Sequence, residues 1–393
     1  MTTPVSNFQF DRNESLRGLL LPIILFAGAV VIQFKMAWHL GFVGFDFSFV
    51  PPAGFQESLS AMLSREAHES LLVRFLESLT AQGYLGPKIW QGTTLFFHYL
   101  NAVFAYFVAR RVLHGQVGVS LAIAALVGMN PLGMEALVWG CCLHIILTLT
   151  WIFLGLLIYR YHSHVESTWI TALRAIGLVI LQITAFFIWD WGIIFFPIVA
   201  LIALSSPNEA SKKMRKRYGI ILLTSVGLVW LIGSSLVLGL SEISKLSFLP
   251  ITTILQNLFM APVEGLFPLL KTDLFYSWIG VLLALGVYAI LIGLVVFCLP
   301  NLSLIGAMLI SFIPWVFFHE PEGSDFYLSL PFLYLCIASL KELKNSGIFI
   351  LFVYLFFQFI WMYERVQIIE KGVVPVYEED TAFLLIPFKE SRR

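Results

Sequence analysis

The sequence predicts an all-α protein, a polytopic transmembrane helical bundle of about eleven spans with interfacial helices in two of its outer segments. Three observations predict this. Hydrophobic types make up 59% of the 393 residues and charged types 12%, whereas a soluble domain carries about twice that share of charge. Apolar runs recur along nearly the whole chain. Lysine and arginine cluster after every second run, as expected when one side of a membrane retains the positive loops.

A crossing helix needs about 20 mostly apolar residues. Such runs occupy residues 19–34, 94–112, 117–129, 141–159, 169–188, 192–204, 219–240, 278–299, 302–318, 326–340 and 348–362. The third, sixth and tenth are short, and a short run beside polar residues reads as a broken helix lining a cavity. The first begins near Leu19 and continues past Phe34 with no A-x-A-like site behind it, so it is expected to be an uncleaved first span.

Orientation follows from the basic residues. Arg110 and Arg111 follow the second run, Arg160 the fourth, Lys212, Lys213, Arg215, Lys216 and Arg217 the sixth, and Lys341 and Lys344 the tenth. With this span count all of them share a side with the N-terminus, Arg12 and Arg17, and that side is the cytoplasmic one. The transmembrane domain is then 1–363. Its first extracytoplasmic loop is 35–91, a second interfacial segment is 241–277, and 364–393 form an extracytoplasmic tail. Both outer segments are too apolar for free loops. Residues 248–259 and 71–79 are expected to be helices lying in the membrane interface.

Several functional classes are set aside by composition. The formal net charge is zero, so nothing draws the chain to nucleic acid. There is no Gly-rich phosphate loop and no HExxH motif. Cys141, Cys142, Cys298 and Cys336 lie in apolar stretches without a CxxC or a His/Cys cluster, and read as buried helix residues rather than metal ligands or disulfides.

Chemistry is sought among polar residues beside the spans, where an acidic group is costly unless it faces water, a partner or a substrate. Asp46, in Gly44-Phe45-Asp46-Phe47-Ser48, is either a solvated loop residue or helix cap, or a general base that takes a proton from an incoming hydroxyl. Asp190 stands between two runs with almost no loop. It can cap the following helix or orient a substrate or cation. Asn130-Pro131, Glu135 and Trp139 form a polar break in an apolar hairpin, with Glu135 and Trp139 one turn apart. His98 and Asn101 are i, i+3 neighbours, a spacing that fits a helix-packing hydrogen bond before a ligand pair. His319, Glu320, Glu322 and Asp325 are the densest outer polar group. They can hold a divalent cation or form a solvated acidic turn.

The order of these features resembles the GT-C superfamily of integral-membrane glycosyltransferases. It is nearest to the branch of the protein O-mannosyltransferases and their transmembrane relatives bearing tetratricopeptide repeats. The best stretch is 97–161. It opens Phe97-His98-Tyr99-Leu100-Asn101, similar to the family's HxxN on its second span. It continues through Asn130-Pro131 to Glu135 and Trp139, similar to the family's HP…EAVAW turn. Trp189-Asp190-Trp191-Gly192 is a weaker echo of its KE…P, and Asp325-Phe326-Tyr327-Leu328-Ser329-Leu330-Pro331 of its RYxYLP.

The resemblance implies a membrane-level cavity, a sugar donor carried on a polyprenyl phosphate, and an acid of the first outer loop acting as base, with Asp46 in the matching place. It makes His98, Asn101, Asn130, Glu135, Asp190, His319 and Asp325 candidates for holding substrate. The departures are specific. One acid stands where the family usually has two adjacent acids. Asn130 replaces the family's His, Trp189-Asp190 its Lys-Glu, and Asp325 falls near its Arg. Losing Lys and Arg removes the cations expected at a donor phosphate. The outer basic residues left are Arg65, Arg74, Lys88, Lys245 and Lys271.

Three functions are implied, in order of preference. The first is transfer of a sugar from a polyprenyl-phosphate donor to a hydroxyl on the non-cytoplasmic face. The second is a non-catalytic member serving as a structural subunit or lipid-binding partner beside other membrane subunits. The third is a transporter or flippase, disfavoured because the halves show no repeat and most ionisable residues lie near span ends. The short N-terminus and the lack of repeats after the last span point to a bacterial inner membrane.

Overall fold

The structure, a computed structural model, describes residues 87–113, 116–129, 142–160, 168–188, 190–204, 224–235, 250–254, 302–317 and 327–339, together with positions 23, 24, 27, 28, 282, 285, 286 and 289. Among these residues every regular element is a helix and no strand occurs. The α-helices are α1 (Pro87–Val112), α2 (Val117–Gly128), α3 (Leu143–Arg160), α4 (Thr168–Ile188), α5 (Phe195–Leu204), α6 (Leu302–Phe317) and α7 (Leu330–Ala338). A short 3-10 helix, Asp190–Ile194, joins α4 to α5. Residues 224–235 are helical as well, and so are 251–254, inside the stretch expected to form an interfacial helix.

The apolar runs and the helices coincide closely at α2, α4 and α6. Three boundaries differ: the tenth run opens in a turn at Tyr327–Ser329, so that α7 begins at Leu330, and the other two differ for local reasons. α1 starts at Pro87, ahead of the apolar run at Thr94. A proline at the first helical position gives up only an N–H that would have no partner there. The sixth run is divided between the 3-10 helix and α5. Pro197 stands in the first turn of α5 and has no N–H to give the carbonyl of Ile193, four residues back. The indole of Trp230 donates to that carbonyl instead, at 2.7 Å. Gln182 of α4 donates to the neighbouring carbonyl of Gly192 at 3.3 Å. The break expected from sequence therefore exists, and side chains of two other helices satisfy the backbone it frees.

Contacts along the helices give their directions. Asn101, midway along α1, meets Ile146 near the start of α3, and Arg111 donates to the carbonyl of Leu157 at 2.9 Å near the ends of both, so these helices run parallel. His98 meets Gly128, so the middle of α1 lies beside the end of α2, which runs the other way. Trp151 donates to Thr184 at 2.6 Å while Ile158 lies beside Gly177, making α4 antiparallel to α3. Phe196 lies beside Gly227, and Ile193 beside Trp230, so residues 224–235 run antiparallel to α5. The described helices from α1 to α5 alternate up and down. The basic end of α1 (Arg110, Arg111) and the end of α3 come together. Arg111 there meets one of the last four carbonyls of α3, which have no donor within their own helix.

The core is continuous across α1, α2, α3, α5, α6 and α7. Its large members include Tyr106, Phe153, Phe195, Phe332 and Tyr334, with the rings of Phe153 and Phe332 6.4 Å apart between α3 and α7. Cys142 and Cys336 are buried there and form no disulfide. Gly155 lets α5 approach α3, since a Cβ at that point would lie 2.7 Å from the Phe195 ring. α4 is only partly covered. Trp169, Leu173, Ile176, Ile180, Ile183 and Phe187 stand along one exposed face, and Leu228, Leu231, Ile232, Leu302 and Leu309 are exposed on neighbouring helices. Among the described residues no helix is long and apolar enough to cross a membrane. The span at 348–362, the loop 35–86 and the tail 364–393 lie outside the described residues.

Gly192 is the tightest point of the turn from α4 into the 3-10 helix. A Cβ there would overlap the backbone carbonyl of Ala185. A Gly192→Ala substitution is expected to destabilise the bundle by about 1–3 kcal/mol or more, because backbone has to move to admit the methyl. Thermal unfolding measures it. An unchanged midpoint would contradict the close packing at this turn.

Candidate functional site

α1 carries an unusual buried seam. Gln91, Thr94, His98 and Asn101 recur at spacings of three and four, so they fall on one helical face, and all four are buried. The same helix continues with Ala102, Ala105, Val108 and Ala109, also buried but apolar. The half of α1 nearest its start is thus a polar strip set into an apolar core.

His98 and Asn101 are joined there by Tyr327, from the turn that precedes α7. His98 Nδ1 lies 2.8 Å from the Tyr327 hydroxyl oxygen, and His98 Nε2 lies 3.0 Å from the Gly128 carbonyl oxygen. A carbonyl only accepts, so Nε2 carries the proton. Nδ1 of a neutral imidazole is then the acceptor, and the Tyr327 hydroxyl donates to it. The amide nitrogen of Asn101 donates to the Ile146 carbonyl at 3.0 Å and to the Tyr327 oxygen at 3.3 Å. One chain of hydrogen bonds therefore runs from α3 through α1 and the turn before α7 to the end of α2. The rings of His98 and Tyr327 lie 5.5 Å apart and tilted by 39°.

Local sequence places each member. His98 and Asn101 share a face because they are three residues apart. The Gly128 carbonyl belongs to the last turn of α2, within reach of a side chain from a neighbouring helix. Tyr327 is held in place by the residues just after it in the chain. Ser329 donates to the Ser311 carbonyl of α6 at 3.0 Å, and Pro331 stands in the first turn of α7. All residues from Tyr327 to Cys336 are buried.

Of the residues singled out from sequence, the structure brings His98 and Asn101 together. Asp190 opens the 3-10 helix, at the start of the element that leads into α5. Asp46, Asn130, Glu135, His319 and Asp325 lie outside the described residues. Among the described residues no group of three or more His, Cys, Asp or Glu is placed to hold a metal ion. Tyr327 is the member that reading the sequence passed over in favour of Asp325, two positions earlier in the same motif. A signal was present, because a tyrosine inside an apolar run needs a partner for its hydroxyl.

Among the described residues, the buried polar side chains are His98, three amides and the hydroxyls of serine and threonine; none is Lys, Arg, Asp or Glu. The network is accordingly neutral and dipolar. It can orient groups and accept protons in hydrogen bonds, but it offers no charge to neutralise a phosphate.

No protein-family model matches the chain, and no curated protein matches it. Among solved structures it is similar to the oligosaccharyltransferase of Archaeoglobus fulgidus, crystallised as a complex with Zn and sulfate. The identity is 13% and the TM-score 0.48, over 87% of this chain and 52% of that one. The chain thus spans about half the length of that protein.

Replacing Tyr327 by Phe keeps the ring and removes the hydroxyl. It leaves His98 Nδ1 without a donor and one Asn101 proton without an acceptor. The expected loss is about 1–3 kcal/mol of stability, the cost of buried polar groups left unmade. Paired with Asn101→Ala in a double-mutant cycle, it is expected to show a coupling of about 0.5–3 kcal/mol. Unfolding measurements on the four proteins give that number, and additive effects would mean the two side chains do not act as a unit.

Proposed function

We propose that this chain is a membrane-embedded protein of GT-C glycosyltransferase type that moves a sugar from a polyprenyl-phosphate donor to an acceptor hydroxyl on the non-cytoplasmic face. The observation that carries the reading is the meeting of two motifs far apart in sequence. His98 and Asn101, from the stretch that best resembles the family, share one hydrogen-bonded network with Tyr327, from the late motif that echoes it. Membrane immersion is supported by the recurrent apolar runs and by the exposed apolar face of α4. A row of six large apolar side chains facing outward along one helix suits acyl chains better than water.

In this reading Asp46 takes the proton of the acceptor hydroxyl. The hydroxyl oxygen attacks the anomeric carbon, and the bond to the lipid phosphate breaks with the electron pair leaving on the phosphate. The network of His98, Asn101 and Tyr327 holds the middle of α1 against the end of α2 and the turn before α7. Its part is to fix the bundle there, since each of its polar protons is already committed.

A second reading is favoured by one observation. No cationic side chain is buried among the described residues, and the motifs have lost the family's Lys and Arg. A chain with the fold and without a phosphate clamp serves as a structural or lipid-binding subunit.

Asp46→Asn separates the two. Under the first reading it abolishes sugar transfer, measured with polyprenyl-phosphate donors, while the thermal midpoint and the elution volume stay as in the wild type. Full transfer by the variant removes Asp46 as the base. No transfer by the wild-type protein from any such donor, with stable co-purification of other membrane subunits, selects the second reading. The bilayer assignment has its own check. Ile180→Cys, at the centre of the exposed face of α4, is expected to react with a lipid-soluble maleimide and to resist a charged one.

A further inference from the structure

Charge is scarce in the described part of the chain, and the arginines gather at one level of it. Among the described residues the lysines, arginines and carboxylates are Lys88, Arg110, Arg111, Arg160, Arg174 and Asp190. Arg110 and Arg111 lie in the last turn of α1, and Arg111 is level with Leu157, near the end of α3. Arg174 of α4 comes to the same level, because Gly177 lies beside Ile158 and α4 runs antiparallel to α3. Asp190 follows the far end of α4. Two helices that pack on α3 thus bring arginines to one end, while the one described acid follows the other.

An apolar strip leads away from these arginines along the outside of the bundle. Leu100, Phe104, Phe107 and Arg111 fall within about 60° of one another on α1 at 100° per residue. All four are half-buried, neither sealed in the core nor fully exposed. Phe107 stands three residues before Arg110 and four before Arg111, so it neighbours both. Trp151, Leu154 and Ile158 of α3 are half-buried in the same way, and the Trp151 ring lies 6.4 Å from that of Phe97, which joins the two helices along this surface. From Leu100 to Arg110 the helix rises about 15 Å, half the ~30 Å thickness of a bilayer's hydrocarbon core. The strip therefore has the length of one leaflet, with cations at its outer limit.

The arginines are held in place. The guanidinium of Arg110 lies over the Tyr106 ring, 5.8 Å from its centre, and donates to the Tyr106 hydroxyl at 3.5 Å. Arg111 donates to the Leu157 carbonyl at 2.9 Å. A ring, a hydroxyl and a carbonyl orient a guanidinium without cancelling its charge. We propose that this surface binds an acidic phospholipid of the cytoplasmic leaflet, its headgroup at Arg110 and Arg111 and an acyl chain along Phe107, Phe104 and Leu100. The apolar strip in line with the arginines selects a lipid over a free anion, and the paired cations select an acidic headgroup over a zwitterionic one. The proposal rests on the membrane placement and orientation given above and not on sugar transfer. The arginines mark the end opposite the face of transfer, so this lipid is distinct from the donor.

The test is native mass spectrometry of the full chain, released from nanodiscs made of equal parts phosphatidylglycerol and phosphatidylcholine with the same acyl chains. An arginine beside an acidic headgroup is worth about fivefold in affinity. The wild type is expected to retain phosphatidylglycerol over phosphatidylcholine by about 5- to 30-fold. Arg110→Gln is expected to lose about fivefold of that preference, and Arg110→Lys to keep most of it. The contacts of Arg110 named here are to Tyr106 on its own helix, so this variant decides the matter even where Arg111→Gln, which also frees the Leu157 carbonyl, fails to fold. A purely structural role for Arg110 would leave the lipid ratio unchanged in the glutamine variant and overturn the proposal, as would equal retention of the two lipids by the wild type. Displacement of the lipid by inorganic phosphate would assign the arginines to a free anion and overturn it as well. A chain that stays out of nanodiscs fails the membrane placement and this proposal together; one that enters them and shows no preference fails this proposal alone.

Discussion

A helix that ends or breaks in an apolar interior leaves backbone carbonyls with no donor, and each must find one inside the protein. Much of this structure follows from that constraint. The last turn of α2 leaves the Gly128 carbonyl to His98. The last turn of α3 leaves the Leu157 carbonyl to Arg111. Pro197 denies a proton to the Ile193 carbonyl, which takes it from Trp230, and Gln182 serves Gly192 beside it. In every case the donor is a side chain of another helix. These bonds therefore satisfy the backbone and also set which helices are neighbours and in which register.

The same constraint explains why polar residues are few and already committed. His98 has both ring nitrogens engaged, and Asn101 spends both amide protons. A neutral network of this kind suits a core that excludes water, where an uncompensated charge is far more costly than a dipole. It also limits the chemistry available at this place. Holding a sugar phosphate calls for cations. The described core has none buried.

Helical packing and outward faces are related in the same way. Gly155 and Gly192 permit backbone approaches that a Cβ would prevent, and they draw α3, α4 and α5 together around the broken segment. α4 turns Trp169, Ile176, Ile180 and Phe187 outward. In water such a row would be a liability; in hydrocarbon it is the expected surface.

Composition and periodicity by themselves determined that the described segments are helical and where most of those helices lie, because a long apolar run has few other ways to satisfy its backbone. They also marked the sixth run as broken, from its shortness beside Trp189-Asp190-Trp191-Gly192, and singled out His98 and Asn101 from their shared face. Only the tertiary structure decided what those two residues do. Their partner Tyr327 lies more than two hundred positions away, and no local spacing relates residues that meet across helices. The same holds for Trp230 and the Ile193 carbonyl, where a proline legible in the sequence created a need that only packing reveals how to meet. Local rules state which backbone groups will lack a donor; the fold selects the side chain that supplies it.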